Sequence, residues 1–164
     1  IRVGEKLLQR FGPRKPMIWG CLITGLAILM VSPANLLLSH YKILASVGYT
    51  LFGVGLAFYA TPSTDAALSN LPAAQAGSGS GIYKMASSLG AAFGVAISAA
   101  IFTVLSGNSA SVNWLDGVIT FSGRQDNLAI REAAIIALGF NVLMVVVAIG
   151  SIMLTVPKGA KAQA

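Results

Sequence analysis

Charged side chains are scarce in this chain. Asp, Glu, Lys and Arg together make up 10% of its 164 residues, against about 25% in an ordinary soluble protein. So few charges cannot cover the surface of a water-soluble domain of this size, which argues against a freely soluble enzyme. There is one cysteine, Cys21, so an internal disulfide framework and a cysteine-rich metal site are excluded. There is one histidine, His40, which removes most histidine-based catalysis and metal binding. No catalytic residue, metal site or cofactor is expected. Disorder is excluded by what is abundant: 55% of residues are apolar and the mean hydropathy is +0.78. An all-α integral membrane helical bundle is the class that remains. Acidic groups are rarer than basic ones, five against eleven, for a net charge of +6. That excess needs its own explanation.

The charges are absent from four long stretches. Residues 16–41, 43–64, 85–115 and 133–157 carry none, with His40 neutral. Each gap holds the roughly 20 apolar residues that cross a hydrocarbon core of about 30 Å. Backbone polar groups in lipid must be satisfied within the segment, so the spans are helices. The expected spans are about 16–38, 43–69, 78–106 and 133–156, with a loop at 1–15 and a longer polar loop at 107–132. Pro33 and Asn35 are expected to close the outer end of the first span, and 114–121 could form a short interfacial segment.

The basic residues set an orientation. Arg2, Lys6, Arg10, Arg14 and Lys15 precede the first span, Lys84 opens the third, and Lys158 and Lys161 follow the fourth. Lys42, Arg124 and Arg131 fall on the other side. The loop 1–15 and both ends of the chain are therefore expected to be cytoplasmic, and 107–132 external. Trp19 and Trp114 lie near the expected interfaces. The +6 becomes a topological signal rather than a sign of a nucleic-acid partner; the lipid bilayer is the expected partner. The chain opens in Ile1-Arg2-Val3-Gly4, without an initiator Met. That start reads as the end of an earlier helix, so a piece of a longer protein is expected.

Three stretches carry the functional expectations. In Arg10-Phe11-Gly12-Pro13-Arg14-Lys15-Pro16, a turn surrounded by cations leads straight into a span. It is a positive-inside flank, and it also suits a gating loop whose cations pair with carboxylates and helix C-termini, then release them. The stretch resembles the cytoplasmic signature of the major facilitator superfamily, roughly Gly-x-Leu-Ala-Asp-Arg-x-Gly-Arg-Lys. Arg10, Gly12, Arg14 and Lys15 echo that signature. Gln9 stands where the acidic residue would be, and Pro13 is an extra residue before Arg14, as suits the degenerate second copy of the motif.

The second stretch runs Gly53-Val54-Gly55-Leu56-Ala57-Phe58-Tyr59-Ala60-Thr61-Pro62-Ser63-Thr64-Asp65. Its glycines and proline permit close packing and a kink. Phe58 and Tyr59 could pack or offer aromatic faces to a lipophilic cation. Asp65, a carboxylate at a membrane helix end, is either interfacial or functional. In the third stretch Ala86, Gly90, Gly94 and Ser98 recur every four residues, which puts small side chains on one helix face for close packing. Lys84 either snorkels to the interface or pairs with Asp65. On the fourth span, Asn141 is expected to make an interhelical hydrogen bond.

Together the second and third stretches closely resemble staphylococcal-type quinolone efflux pumps, in the 14-helix drug:proton antiporter branch of that superfamily. Many relatives have an Arg-Gln pair just before the glycine at 90, where this chain has Ser87-Ser88. The resemblance implies the last four helices of a major facilitator fold. It also implies missing N-terminal helices as partners, and export of drug-like lipophilic or cationic compounds from the bacterial inner membrane in exchange for protons. The second and third spans would border the central cavity. A complete small four-helix exporter and a non-transporting scaffold subunit are the rival readings.

Overall fold

A computed structural model describes residues 2–33, 38–69, 71–107 and 127–157. Among these residues five α-helices follow one another: α1 (Arg2–Phe11), α2 (Arg14–Val31), α3 (Leu38–Leu68), α4 (Ala76–Ser106) and α5 (Leu128–Thr155). A single 3-10 turn, Ala73–Gln75, leads into α4. The described residues contain no strand. Four helices, α2 to α5, are long and apolar enough to cross a membrane. The expected all-α bundle is therefore present, and the chain is a multi-pass membrane protein.

The helix ends differ from the expected spans, each for a physical reason. Residues 1–15 were expected to form a loop, yet Arg2–Phe11 is helical. Its leucines and Phe11 alternate with Lys6, Gln9 and Arg10, so charge hides an amphipathic helix from a search for apolar runs. It stops at Gly12, whose φ of 71° lies in the left-handed region and whose N–H reaches Leu8 O at 2.9 Å. A Gly12→Val variant is expected to lose about 1–2 kcal/mol of stability through that strain, read by thermal melting of the full-length protein.

Pro13 then precedes α2, and Pro16 sits in its first turn, where a missing N–H leaves no hydrogen bond unmade. The first span was expected to reach 38, but α2 ends at Val31. Pro33 follows two residues later and cannot continue a helix.

The other three membrane helices begin earlier than expected, at Leu38, Ala76 and Leu128 rather than near 43, 78 and 133. Lipid demands apolar side chains only across the hydrocarbon, while a helix continues into the interface with Lys42 or Arg131 aboard. At about 46 Å, the 31-residue α3 outreaches a core of about 30 Å. It passes through Pro62 without a break. The gap left between the second and third expected spans, 70–77, shrinks accordingly, since Ala76 and Gly77 are helical. The expectations for Asn35, Trp114, the 114–121 segment, Arg124, Lys158 and Lys161 lie outside the described residues.

Hydroxyls inside the spans bond back along their own helix. Ser46 donates to Lys42 O at 2.8 Å, Thr50 to Ser46 O at 2.9 Å and Thr64 to Ala60 O at 3.0 Å. These three donors are thereby satisfied without water.

The tightest seam joins α2 to α3. A Cβ on Gly20 would lie 2.8 Å from Gly55 O and 3.0 Å from Tyr59 Cβ. One on Gly55 would strike Thr24 Oγ1 and lie 2.9 Å from Gly20 O, and one on Gly48 would lie 3.1 Å from Ala27 O. Backbones this close are the membrane substitute for a hydrophobic core. On its other side α2 meets α5, where Met17, Cys21 and Ile152 are buried against Val145, Ala148 and Ile149. By contrast α4 buries no residue. It is held to α5 by Asn141, whose Nδ2 donates to Ser98 Oγ at 3.0 Å and to Ala137 O at 2.8 Å. That is the interhelical bond expected of Asn141.

Candidate gate at the α2–α3–α5 end

The residues of the Gly12-Pro13 turn take different partners. Arg14, the first residue of α2, donates from Nη2 to Met153 O at 2.9 Å. Met153 lies in the last turn of α5, where carbonyls have no intrahelical donor and the helix dipole is negative. One side chain thus ties the start of the first membrane helix to the end of the last. Arg10 and Lys15 turn instead to Phe11: the guanidinium carbon is 5.4 Å and the ammonium nitrogen 5.7 Å from the ring centroid. The ring in turn meets Trp19 edge-on at 5.4 Å and 61°. Gly12 supplies the turn between α1 and α2 that lets α1 pack on α3 as well as on α2.

Beside Arg14 lies a recess of about 320 Å³ between the same helix ends. Pro13, Met17, Ser63, Ala66, Thr155 and Val156 contribute to its walls. Ser63 is 6% exposed and shares a 2.8 Å hydrogen bond with the Tyr83 hydroxyl of α4. This pair links α3 to α4. A double-mutant cycle of Ser63→Ala and Tyr83→Phe, read by thermal stability of the full-length protein, is expected to give about 0.6–1.7 kcal/mol of coupling. Additive losses would show that the two hydroxyls do not act together.

Of the two readings of Lys84, the pairing with Asp65 is not found. Asp65 and Lys84 are both exposed and form no ion pair with each other. Tyr59 is half-buried and packed against the Met17–Cys21–Ile152 cluster, so it serves the α2–α3 seam. Phe58, its neighbour, is partly exposed.

Of the small-residue stripe, only Ser98 meets another helix, through Asn141. Ala86 and Gly90 are exposed, and open space surrounds the positions where Gly90 and Gly94 would carry a Cβ. Within this chain the close packing expected of the stripe occurs instead at Gly20, Gly48 and Gly55. The sequence carried a signal for it, since Gly48 and Gly55 are seven residues apart and so share a helix face. Ser63 and Tyr83 went unassigned because neither stands out among the hydroxyls of its helix. Among the described residues no group of three or more His, Cys, Asp or Glu side chains gathers as a metal site would require.

Comparison with known proteins bears on these placements. Over 158 residues, 96% of its length, the chain is 41% identical to the quinolone resistance protein NorB of Staphylococcus aureus strain MRSA252. It is 40% identical over the same length to NorB of strain COL, and 41% identical to NorB of bovine strain RF122 / ET3-1. The chain spans 30% of the length of these relatives. No family model matches it, and no solved structure does. The resemblance to staphylococcal-type quinolone efflux pumps rested on the two stretches between Gly53 and Ser98; a match over 158 residues extends well beyond them. Across nearly its whole length the chain is similar to staphylococcal quinolone resistance proteins.

Proposed function

We propose that the chain forms part of a secondary transporter that exports drug-like compounds, lipophilic and often cationic, in exchange for protons. The observation that carries this reading is the identity of about 40% to quinolone resistance proteins over 96% of the chain. In this reading the Gly12-Pro13 turn faces the cytoplasm of a bacterial inner membrane, as do both ends of the chain. The Arg14–Met153 bond is a latch that holds α2 and α5 together while that face is closed. Arg10, Gly12 and Lys15 shape and flank the turn that carries it.

Alternating access then rocks this bundle against the helices contributed by the rest of the transporter. The exposed face of α4 with Ala86, Gly90 and Gly94 suits such a sliding contact, because small side chains present little relief to catch. Asp65 and Lys84 stand exposed on α3 and α4, with Phe58 half-buried on α3, where a central cavity would meet them. Tyr59 acts behind them, through the seam.

The test is dye efflux from cells that express the full-length protein. Asp65→Asn is expected to slow efflux several-fold without lowering membrane abundance. Unchanged efflux would reduce Asp65 to an interfacial residue.

A further inference from the structure

We propose that Arg10 and Lys15, gathered on Phe11, bind the headgroup phosphate of an anionic phospholipid. The two cations come from different helices, one from the last turn of α1 and one from the first turn of α2. The left-handed Gly12 folds the chain so that both reach one aromatic ring, at 5.4 and 5.7 Å. Two like charges held on one ring repel each other. Neither has a carboxylate partner among the described side chains, and both are exposed. Lys6, also exposed, lies one helical turn before Arg10. Arg14 is not part of this group, because its guanidinium is committed to Met153 O.

A phosphodiester oxygen accepts charge-assisted hydrogen bonds from both a guanidinium and an ammonium, and it removes their repulsion. The aromatic side of the site distinguishes a lipid from a free anion. Trp19 meets the Phe11 ring edge-on, is 40% exposed, and stands in the second turn of a membrane-spanning helix. Aromatic rings at that depth sit where headgroups meet acyl chains. Phosphate from solution would use the cations and leave Trp19 and Phe11 idle; a phospholipid would use all four side chains. Basic clusters at the cytoplasmic ends of spans have the charge to recruit anionic lipid.

The experiment uses the full-length protein, purified with native lipid removed and offered phosphatidylglycerol or phosphatidylcholine in mixed micelles. Native mass spectrometry counts the lipid retained. Phosphatidylglycerol is expected to be retained in preference to phosphatidylcholine. The double variant Arg10→Gln, Lys15→Gln should weaken that retention about thirtyfold. The charge-preserving variant Arg10→Lys, Lys15→Arg should keep it, which guards against a simple loss of folding. Phe11→Leu should weaken retention less than the loss of both charges. Equal retention by the wild type and the Gln double variant would overturn the proposal. So would displacement of the lipid by millimolar inorganic phosphate, which would mark a site for free anions instead.

Discussion

Gly55→Val is expected to remove most of the full-length protein from the membrane. The side chain has no room: even its Cβ would meet Thr24 Oγ1 and, at 2.9 Å, the backbone oxygen of Gly20. Thr24 could turn away, but a helix backbone cannot, so α2 and α3 must separate. In lipid there is no hydrophobic effect to hold separated helices together, and the van der Waals contacts along the seam are lost outright. Overpacking a well-filled site costs about 1–3 kcal/mol, and a backbone obstacle places this variant at or above the top of that range. Gly53 supplies the control. It lies on the same helix two residues away, with nothing within 4 Å of an added Cβ. Gly53→Ala should leave abundance unchanged or raise it, since alanine favours a helix by about 0.5–1 kcal/mol over glycine. Quantitative immunoblotting of isolated membranes reads both. Equal abundance of the Gly55 variant and the wild type would show that the seam is looser than described.

The second large effect is expected at Arg14. Arg14→Met keeps the length of the side chain and removes its donors, so Met153 O loses its partner at the end of α5. Hydrogen bonds made by charged groups contribute about 1.5–3 kcal/mol, enough to shift a closed-to-open equilibrium by at least tenfold. The recess between the helix ends should then open more often. A single cysteine placed at Ala66, on its wall, should react several-fold faster with a membrane-impermeant maleimide in the Arg14→Met background. Arg14→Lys should fall between the two, because a point charge still meets the negative helix end without the fixed reach of a guanidinium. Identical labelling in all three backgrounds would remove the latch from the account.

The helices themselves were legible in the sequence because the bilayer imposes one simple rule. The gap at 85–115 predicted a span ending at 106, and α4 ends at Ser106. Other helix ends were harder to read. The helix that stops at Gly12 was expected to be loop, and the first span was expected to run to 38 although α2 ends at Val31, just before Pro33. The start of α3 was missed because Lys42 looks like a loop residue to any search for charge and is helical nonetheless.

Partners were harder to read than elements. The Gly12-Pro13 turn was recognised as a place where cations meet helix C-termini, and Arg14 does so. Its acceptor is a backbone carbonyl 139 residues away, which no side-chain pattern announces. The stripe at 86–98 was conspicuous because four small residues recur in strict register. The seam that closes within the chain, Gly20 on Gly55, needs one residue from each of two helices; the Gly48–Gly55 spacing marks one face of it, and nothing in α3 names the partner on α2. Asp65 and Lys84 lie close enough in sequence to suggest a pair, yet both are exposed and form no ion pair with each other.

The central claim is that this bundle works within a proton-driven drug exporter. It is tested most directly in inside-out vesicles that contain the full-length protein. An imposed inward-acid pH gradient should drive uptake of a fluorescent quinolone. A protonophore should abolish that uptake, and Asp65→Asn should slow it several-fold at equal protein abundance. Quinolone uptake that is no greater than in empty vesicles, or that persists after the gradient is collapsed, would contradict the account.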